Sequence, residues 1–560
     1  MTPADASPPQ DAAGAPPKQA ANGSDGDGRA LLLPNDQAPA ALNAAAVFCG
    51  FRPRTLEVGF TWAMIGCGDG FDALLAAAAH PEGQFLGLDE DDASLTKGRG
   101  LAQAAFLSNI RFEQVSYRTL DPAALPPLDF VVVNDLISRV DPETRAAVLG
   151  RAAQALKPGG IMLVDYQALP GWAAQAPLRD ILFSVAADAP DAMAKARAGR
   201  DWLKRMREGN AKYFRDHPRI AETVDRLLTQ DTTAVRKAFF DGAIQPFHFA
   251  QIQAELHSMG LQFAGRAELF LNIADFAIPD SGRAELRGAK SRAEFEALRD
   301  FFRNEAHRRD LFVKGTPFAS TKAWEEAQWE QVVGCVTEHA HHRRSIDFGD
   351  VVMDYSGPPF EQVLQVAGAG AMPVSLIAET EAVEAFPPSM VLEAVRLLLA
   401  GGLLRPFAGS TEYPPAQLGG SLDPATPLQI PHPLNRLLVA RAPELGRPCP
   451  LISKSLGGPV VLNDLEAMML DALCLPFGSQ EAASDGNALG SAETQHATLP
   501  ESRLAERLGH RSTAEEKSSL HTPEVQAMLR SKLDQFRADR LPKLLELGIV
   551  EEATMPNSVT

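Results

Sequence analysis

The sequence predicts an α/β fold: a doubly wound, mostly parallel sheet with a helical insertion and a mostly helical C-terminal unit. Three observations predict it. Short apolar runs alternate with alanine-rich or amphipathic stretches early in the chain, a Gly-x-Gly-x-Gly loop follows the first run, and an acidic residue closes the second.

The elements follow in order. Ala63-Met64-Ile65 is an apolar run that ends at glycines, Gln84 to Asp89 is the second, and Ile110 to Val115 alternates. Phe130-Val131-Val132-Val133 and Ile161-Met162-Leu163-Val164 are continuous, as strands buried on both faces are. The stretches 71–79, 92–107 and 143–156 read as the helices between them. From about 176 to 245 the strand pattern stops and the reading is helical. A helix from His248 to Met259 then stops at Gly260, and Leu261-Gln262-Phe263-Ala264 alternates as a strand. This pair is expected to return to the sheet, leaving the helices before it as a lid over the strand C-termini. Past about residue 286 the pattern is amphipathic helix. Pro388 to Phe407, a helix stopped by Gly401-Gly402 and a short apolar turn, resembles the end of a winged-helix unit.

The expected organisation is a disordered leader over 1–28, a sheet domain over 29–175 and a helical region with the returning helix and strand over 176–285. A C-terminal unit over 286–560 would carry a flexible loop at 477–500. At 560 residues, more than one hydrophobic core is required. The net charge of −18 argues against nucleic acid as the main partner, because phosphate binding needs a basic face. A protein substrate or partner with a lysine-rich surface suits it better, and a homodimer is compatible. The five cysteines lack paired spacing, the start lacks a basic and then apolar leader, and no uncharged apolar run reaches the ~20 residues of a membrane span. The expectation is a cytoplasmic protein with no membrane span.

The loop Gly66-Cys67-Gly68-Asp69-Gly70 opens a helix, where glycines let backbone amides approach a ligand. By itself it fits a dinucleotide enzyme, a methyltransferase or a structural turn. Asp89 stands where an acid takes both hydroxyls of a bound ribose, and it also fits a helix N-cap within Asp89-Glu90-Asp91-Asp92. Leu156-Lys157-Pro158-Gly159-Gly160 ends a helix just before the fifth strand. That turn is common in class I methyltransferases and unusual in nicotinamide dehydrogenases. The three features in this order identify a Rossmann-like class I methyltransferase sheet.

A narrower resemblance begins at Tyr166-Gln167-Ala168-Leu169-Pro170-Gly171-Trp172. It resembles the bacterial methyltransferases that carry a methyltransferase regulatory domain, to which the rickettsial protein-lysine methyltransferases are similar. Gln245-Pro246-Phe247-His248-Phe249, Gly260-Leu261-Gln262-Phe263, Asp300-Phe301-Phe302-Arg303-Asn304, Leu311-Phe312-Val313 and Val460-Val461-Leu462-Asn463-Asp464 continue it. The resemblance implies transfer of a methyl group from S-adenosylmethionine, with protein lysine as the acceptor. It implies that Gly66, Gly68 and Gly70 hold the methionine portion, Asp89 the ribose with Glu90 flanking, and that Ser116 and Tyr117 lie by the adenine. Asn134, Asp135 and Tyr166 would border the transfer site, and Trp172 the substrate channel.

The chain also departs from that family. Met64 stands where an acid usually faces the positive end of the cofactor, and Ser116 where an Asp usually meets the adenine amine. Ile137 and Arg139 replace two aromatics, Gln167 replaces an asparagine, and Leu31-Leu32-Leu33-Pro34 replaces a tyrosine-rich segment. Asp69 or Asp135 could substitute for the missing acid. Two readings therefore stay open: an active methyltransferase, and a non-catalytic homologue serving as a binding or assembly partner. Cys335, His339 and His342 share a helical face at i, i+4 and i+7, but a polar helix end running into Arg343-Arg344 explains them better, and no metal site is expected.

Overall fold

A computed structural model describes residues 36–57, 59–120, 125–240, 242, 244–337, 344–349, 351–408, 426–445, 448–474, 499–510 and 514–553. The expected leader, the 31–34 segment, most of the 477–500 loop, and His339 and His342 lie outside the described residues.

Seven strands form one sheet: β1 (Thr61–Ile65), β2 (Gln84–Asp89), β3 (Ile110–Gln114), β4 (Leu128–Val133), β5 (Leu156–Gln167), β6 (Gln262–Arg266) and β7 (His307–Val313). Their order is β3-β2-β1-β4-β5-β7-β6, with β1 to β5 parallel and β7 antiparallel to both its neighbours. Alternation of side chains divides the core into two layers. Trp62, Met64, Phe130 and Val132 face one layer, with helices α1 (Pro39–Phe48), α2 (Phe71–Ala79) and α3 (Asp92–Ala104). Ala63, Ile65, Val131 and Val133 face the other, with helix α4 (Pro142–Ala155). Asp91 caps α3 by accepting from the Ala93 amide, and Asp141 caps α4 by accepting from the Glu143 and Thr144 amides.

The turn expected at Lys157 is instead the irregular start of β5, and it is held by charge. Lys157 Nζ lies 2.6 Å from Asp129 Oδ2, and Arg54, also paired with Asp129, donates to the Pro158 carbonyl. Against the desolvation of their surroundings, these two cations hold the Asp129 carboxyl below its ordinary range.

After β5 come helices α5 (Ala176–Val185), α6 (Ala192–Glu208), α7 (Lys212–Asp216), α8 (Pro218–Thr229) and α9 (Thr232–Val235). They enclose a small core of their own around Leu182, Leu203 and Val224. The end of this insertion rests on the loop after β4, where Arg139 donates to the Lys237 carbonyl. Helix α10 (Phe249–Ser258) then packs Ile252 and Leu256 on the α4 side, and β6 follows.

The chain does not leave the sheet there. Short helices α11 (Ala274–Ala277) and α12 (Arg283–Arg287) and the longer α13 (Arg292–Arg303) lead into β7, which inserts between β5 and β6. The boundary expected at 285 is therefore corrected: the sheet closes only at Val313. The run His307-Arg308-Arg309-Asp310 hid this strand, since four consecutive polar residues do not read as a buried strand.

Beyond it, helices Phe360–Ala369, Val374–Ala378 and Pro388–Ala400 accompany an antiparallel sheet in which Val332–Gly334 lies between Met372–Pro373 and Arg405–Pro406. The hairpin of Cys449–Ser453 and Gly458–Leu462 packs on α2. There the buried His80 donates from Nε2 to the Gly457 carbonyl at 3.1 Å.

Candidate functional site

The strand order reverses between β1 and β4, and the crevice at their carboxyl ends is where open α/β sheets take ligands. The loop Gly66 to Gly70 lies there. Gly66 has φ +82°, and a Cβ on it would stand 2.9 Å from the Asn134 carbonyl. Gly70 has φ +73°, and a Cβ there would strike the Phe112 ring at 2.2 Å. No other residue fits these two positions. At Gly68, by contrast, an added Cβ meets nothing within 4 Å, so the middle of the loop faces open space. Gly70 is the N-cap of α2, so the start of that helix lies at the loop, with the Phe71 amide donating to Asp69 Oδ1 at 3.3 Å.

Asp89 binds the loop to the second strand. Its Oδ2 accepts from the Gly68 amide at 2.8 Å and its Oδ1 from the Asp91 amide at 3.0 Å. It is not the cap of α3, a position held by Asp91. With Tyr117 also hydrogen-bonded to it, the carboxylate keeps one lone pair that can still accept from a ribose hydroxyl. Glu90 turns toward the loop after β3, where Oε1 accepts from the Tyr117 amide at 2.8 Å. Tyr117 is buried and hydrogen-bonds Asp89, and burial followed by the Asp89 charge pushes its phenol above the ordinary range. Ser116 beside it is exposed. The Cys67 thiol is pushed up to about 12, first by burial and then by Asp89, so it is no nucleophile.

At the end of β4, Asn134 Oδ1 accepts from Gln37 Nε2 at 2.9 Å. Asp135 adopts φ +46°, pairs with Arg139 at 2.6 Å and accepts from Gln167 Nε2 at 3.1 Å. Asn134 and Asp135 thus lie just past the carboxyl end of β4. Tyr166 does not reach the crevice. Its ring is fully buried in the layer of α4 and α10, and its hydroxyl donates to Asp310 Oδ2 at 2.7 Å. The expected place of Tyr166 at the transfer site is corrected. The even positions of the β5 end face that layer, while Asp165 and Gln167 face the opposite one. Trp172 lies buried in a short turn of helix, and the adjoining cleft of about 760 Å³ is lined instead by Gly171, Gln175, His217 and Arg219 among others.

Several site residues were missed at the sequence level. Arg309 makes a bidentate ion pair with Asp36, which precedes α1, and its Nε lies 3.6 Å from Asp165, to which His307 also bonds. Burial carries the Asp36 carboxyl above its usual range even against the pull of Arg309. The Asp72 carboxyl is raised too, by its desolvated surroundings and then by Asp69 and Asp36, although its side chain keeps solvent contact. Arg405 acts on Asp36 and Lys237 on Asp72, so four carboxylates, Asp36, Asp69, Asp72 and Asp165, stand against Arg309, Arg405 and Lys237 here, an excess that favours a cationic ligand. The signal available in the sequence was Asp36-Gln37 just ahead of a proline-started helix.

The fold and crevice define a class I methyltransferase architecture. Comparison with known proteins agrees. The family described as "Methyltransferase domain" matches residues 65–210, and that described as "Predicted methyltransferase regulatory domain" matches 234–314. Residues 65–210 are thus similar to the first family and residues 234–314 to the second. An uncharacterized protein of Synechocystis sp. is 27% identical over 278 residues, which are 50% of this chain and 55% of that protein. An uncharacterized protein of Rickettsia prowazekii is 29% identical over 144 residues, 26% of this chain and 57% of that protein. These matches span little more than half the length of either relative. The solved structure of PKMT2 from Rickettsia typhi in complex with AdoHcy shares the fold, with a TM-score of 0.65 and 17% identity over 92% of this chain and 98% of that one. Among the described residues no helix is long and apolar enough to cross a membrane.

Proposed function

We propose that this protein binds S-adenosylmethionine in the β1/β4 crevice and directs its methyl group to a nucleophile, the side-chain amine of a protein lysine. The observation that carries the reading is the glycine loop itself, open at Gly68 and bound to Asp89 through the Gly68 amide. The residues present fit the cofactor. Asp89 has a lone pair left for the ribose, and the carboxylates Asp36, Asp69, Asp72 and Asp165 outnumber the cations Arg309, Arg405 and Lys237 that act on them, which biases the crevice toward a cation. S-adenosylmethionine supplies an electrophilic methyl group on a sulfonium. The chain's own residues orient and enclose: Asn134 and Asp135 border the crevice, and the helical insertion rests on Arg139 beside them. Transfer to an amine requires a neutral nitrogen in line with the methyl group and few competing waters. Lysine as acceptor rests on the resemblance to rickettsial protein-lysine methyltransferases.

The test is calorimetric titration of the full chain with S-adenosylmethionine and S-adenosylhomocysteine, then methyl transfer from labelled cofactor to candidate proteins. Micromolar binding and label on lysine support the reading; label on another residue type would overturn the lysine assignment. A second reading, cofactor binding or docking without turnover, is favoured by Met64, which buries an apolar side chain where an acid is usual. Binding without label transfer to any candidate would favour it.

A further inference from the structure

A bound S-adenosyl cofactor brings an α-ammonium to the glycine loop, and position 64 offers no acid to receive it. Neither expected substitute is placed to do so. Asp135 is committed to Arg139 and Gln167, and Asp69 is exposed and accepts from the Phe71 amide.

Gln37 is placed to do so. It stands two residues before α1, and its carbonyl accepts from Trp62 Nε1 at 3.1 Å, which fastens it to β1. Its Nε2 donates to Asn134 Oδ1, just past the end of β4, and Asn134 Nδ2 faces the Gly66 carbonyl at 3.5 Å. The side chain therefore bridges the gap between the two strands at which the sheet order reverses. It is 8% exposed. Its Oε1 is buried and has no hydrogen-bond partner. A buried acceptor left unpaired is costly, and the cost is removed when a donor arrives. The donor that suits this place is cationic, because the carboxylates Asp36, Asp69, Asp72 and Asp165 outnumber the cations Arg309, Arg405 and Lys237 that act on them. We infer that Gln37 Oε1 accepts a hydrogen bond from the α-ammonium of the cofactor's amino-acid end, in place of an acid at position 64. This rests on the cofactor reading above and names the residue that anchors that end.

The experiment is calorimetry on the full chain with two ligands. S-adenosylhomocysteine carries the amino-acid end, and methylthioadenosine keeps the adenosine and thioether but lacks it. In Gln37→Leu, S-adenosylhomocysteine affinity should fall about tenfold, the worth of one charged hydrogen bond, while methylthioadenosine affinity stays within about twofold. Gln37→Glu, which retains an acceptor, should bind S-adenosylhomocysteine at least as tightly as the unaltered chain. Unchanged S-adenosylhomocysteine affinity in Gln37→Leu, or an equal loss for both ligands, would overturn the assignment and leave the cofactor reading standing. Absence of binding of either ligand by the unaltered chain would overturn both. If Gln37→Leu does not fold, Gln37→Glu decides: weakened S-adenosylhomocysteine binding with intact methylthioadenosine binding counts against the inference.

Discussion

The hydroxyl of Tyr166 on β5 donates to Asp310 on β7 at 2.7 Å, and that carboxylate also takes the guanidinium of Arg308. Arg308 extends the chain of charge to Asp300 and Glu296 on α13 and lies over the Phe249 ring at 4.3 Å. Every one of these groups is buried, and Glu296 is held down to about 2 by Arg299 and Arg308 against its desolvation. The network joins β5 and β7 to α10 and α13.

It follows that Tyr166→Phe is a stability variant. Asp310 keeps Arg308, so the loss should be about 1.5–3 kcal/mol, the worth of a hydrogen bond to a charged group. Asp310→Ala leaves Arg308 buried with its partners reduced and should cost about 3–5 kcal/mol. Urea unfolding reads both. Cofactor affinity in Tyr166→Phe should stay near that of the unaltered chain; a collapse of affinity without loss of stability would return Tyr166 to the transfer site.

Asp89 is expected to behave in the opposite way. Asp89→Ala removes the ribose acceptor and releases the Gly68 amide, so the loop loses its tie to β2. Two charged hydrogen bonds of about 1.5–3 kcal/mol each amount to a hundredfold or more in affinity. Titration with S-adenosylhomocysteine should show no measurable binding, and an unchanged dissociation constant would remove Asp89 from the site.

The joint between α2 and the C-terminal hairpin should be acid-sensitive. His80 is held down to about 4 by burial, against an ordinary 6.5, with the Gly457 hydrogen bond opposing the shift. His432 is likewise lowered to about 4, by burial, Lys454 and Arg436. These folded values are depressed, so the neutral forms are the stable ones. Above about pH 6.5 neither state takes a proton. Between 6.5 and 4 the unfolded chain does and the folded chain does not, so stability falls as pH falls. For His80 the slope approaches about 1.4 kcal/mol per pH unit, roughly 3 kcal/mol in all, and for the more exposed His432 less. His80→Gln keeps a donor for the Gly457 carbonyl and should flatten the pH dependence of unfolding over that window. Equal slopes in the two proteins would count against a buried neutral His80.

The five parallel strands and the glycine loop were legible because their signals are local: apolar runs, glycines and turn residues within a few positions. Helix α2 begins and ends where its alanine run does, at Phe71 and Ala79. What was not legible depends on distant partners. Strand β7 carries two arginines and an aspartate whose burial makes sense only beside Asp36, Asp165 and Glu296. Tyr166 was assigned to the transfer site by resemblance, but its direction is set by strand parity. The Asp36-Gln37 pair marked the start of a helix and nothing more, since a glutamine before a helix has no chemistry until Asn134 and Trp62 are brought to it.

Met64→Glu separates these two kinds of knowledge. From sequence alone, an acid at position 64 should tighten cofactor binding. In the structure Met64 is 1% exposed and lies in the apolar layer that holds α1, α2 and α3. A carboxylate there would be desolvated with no cation in contact, and its proton affinity would rise until it was largely neutral. The expected outcome is a loss of about 2–4 kcal/mol in stability with no gain in S-adenosylhomocysteine affinity. Thermal melting with and without ligand reads both quantities. A variant that melts as the unaltered chain does and binds tenfold tighter would mean that residue 64 reaches the ligand after all, and that the acceptor in Gln37 is redundant.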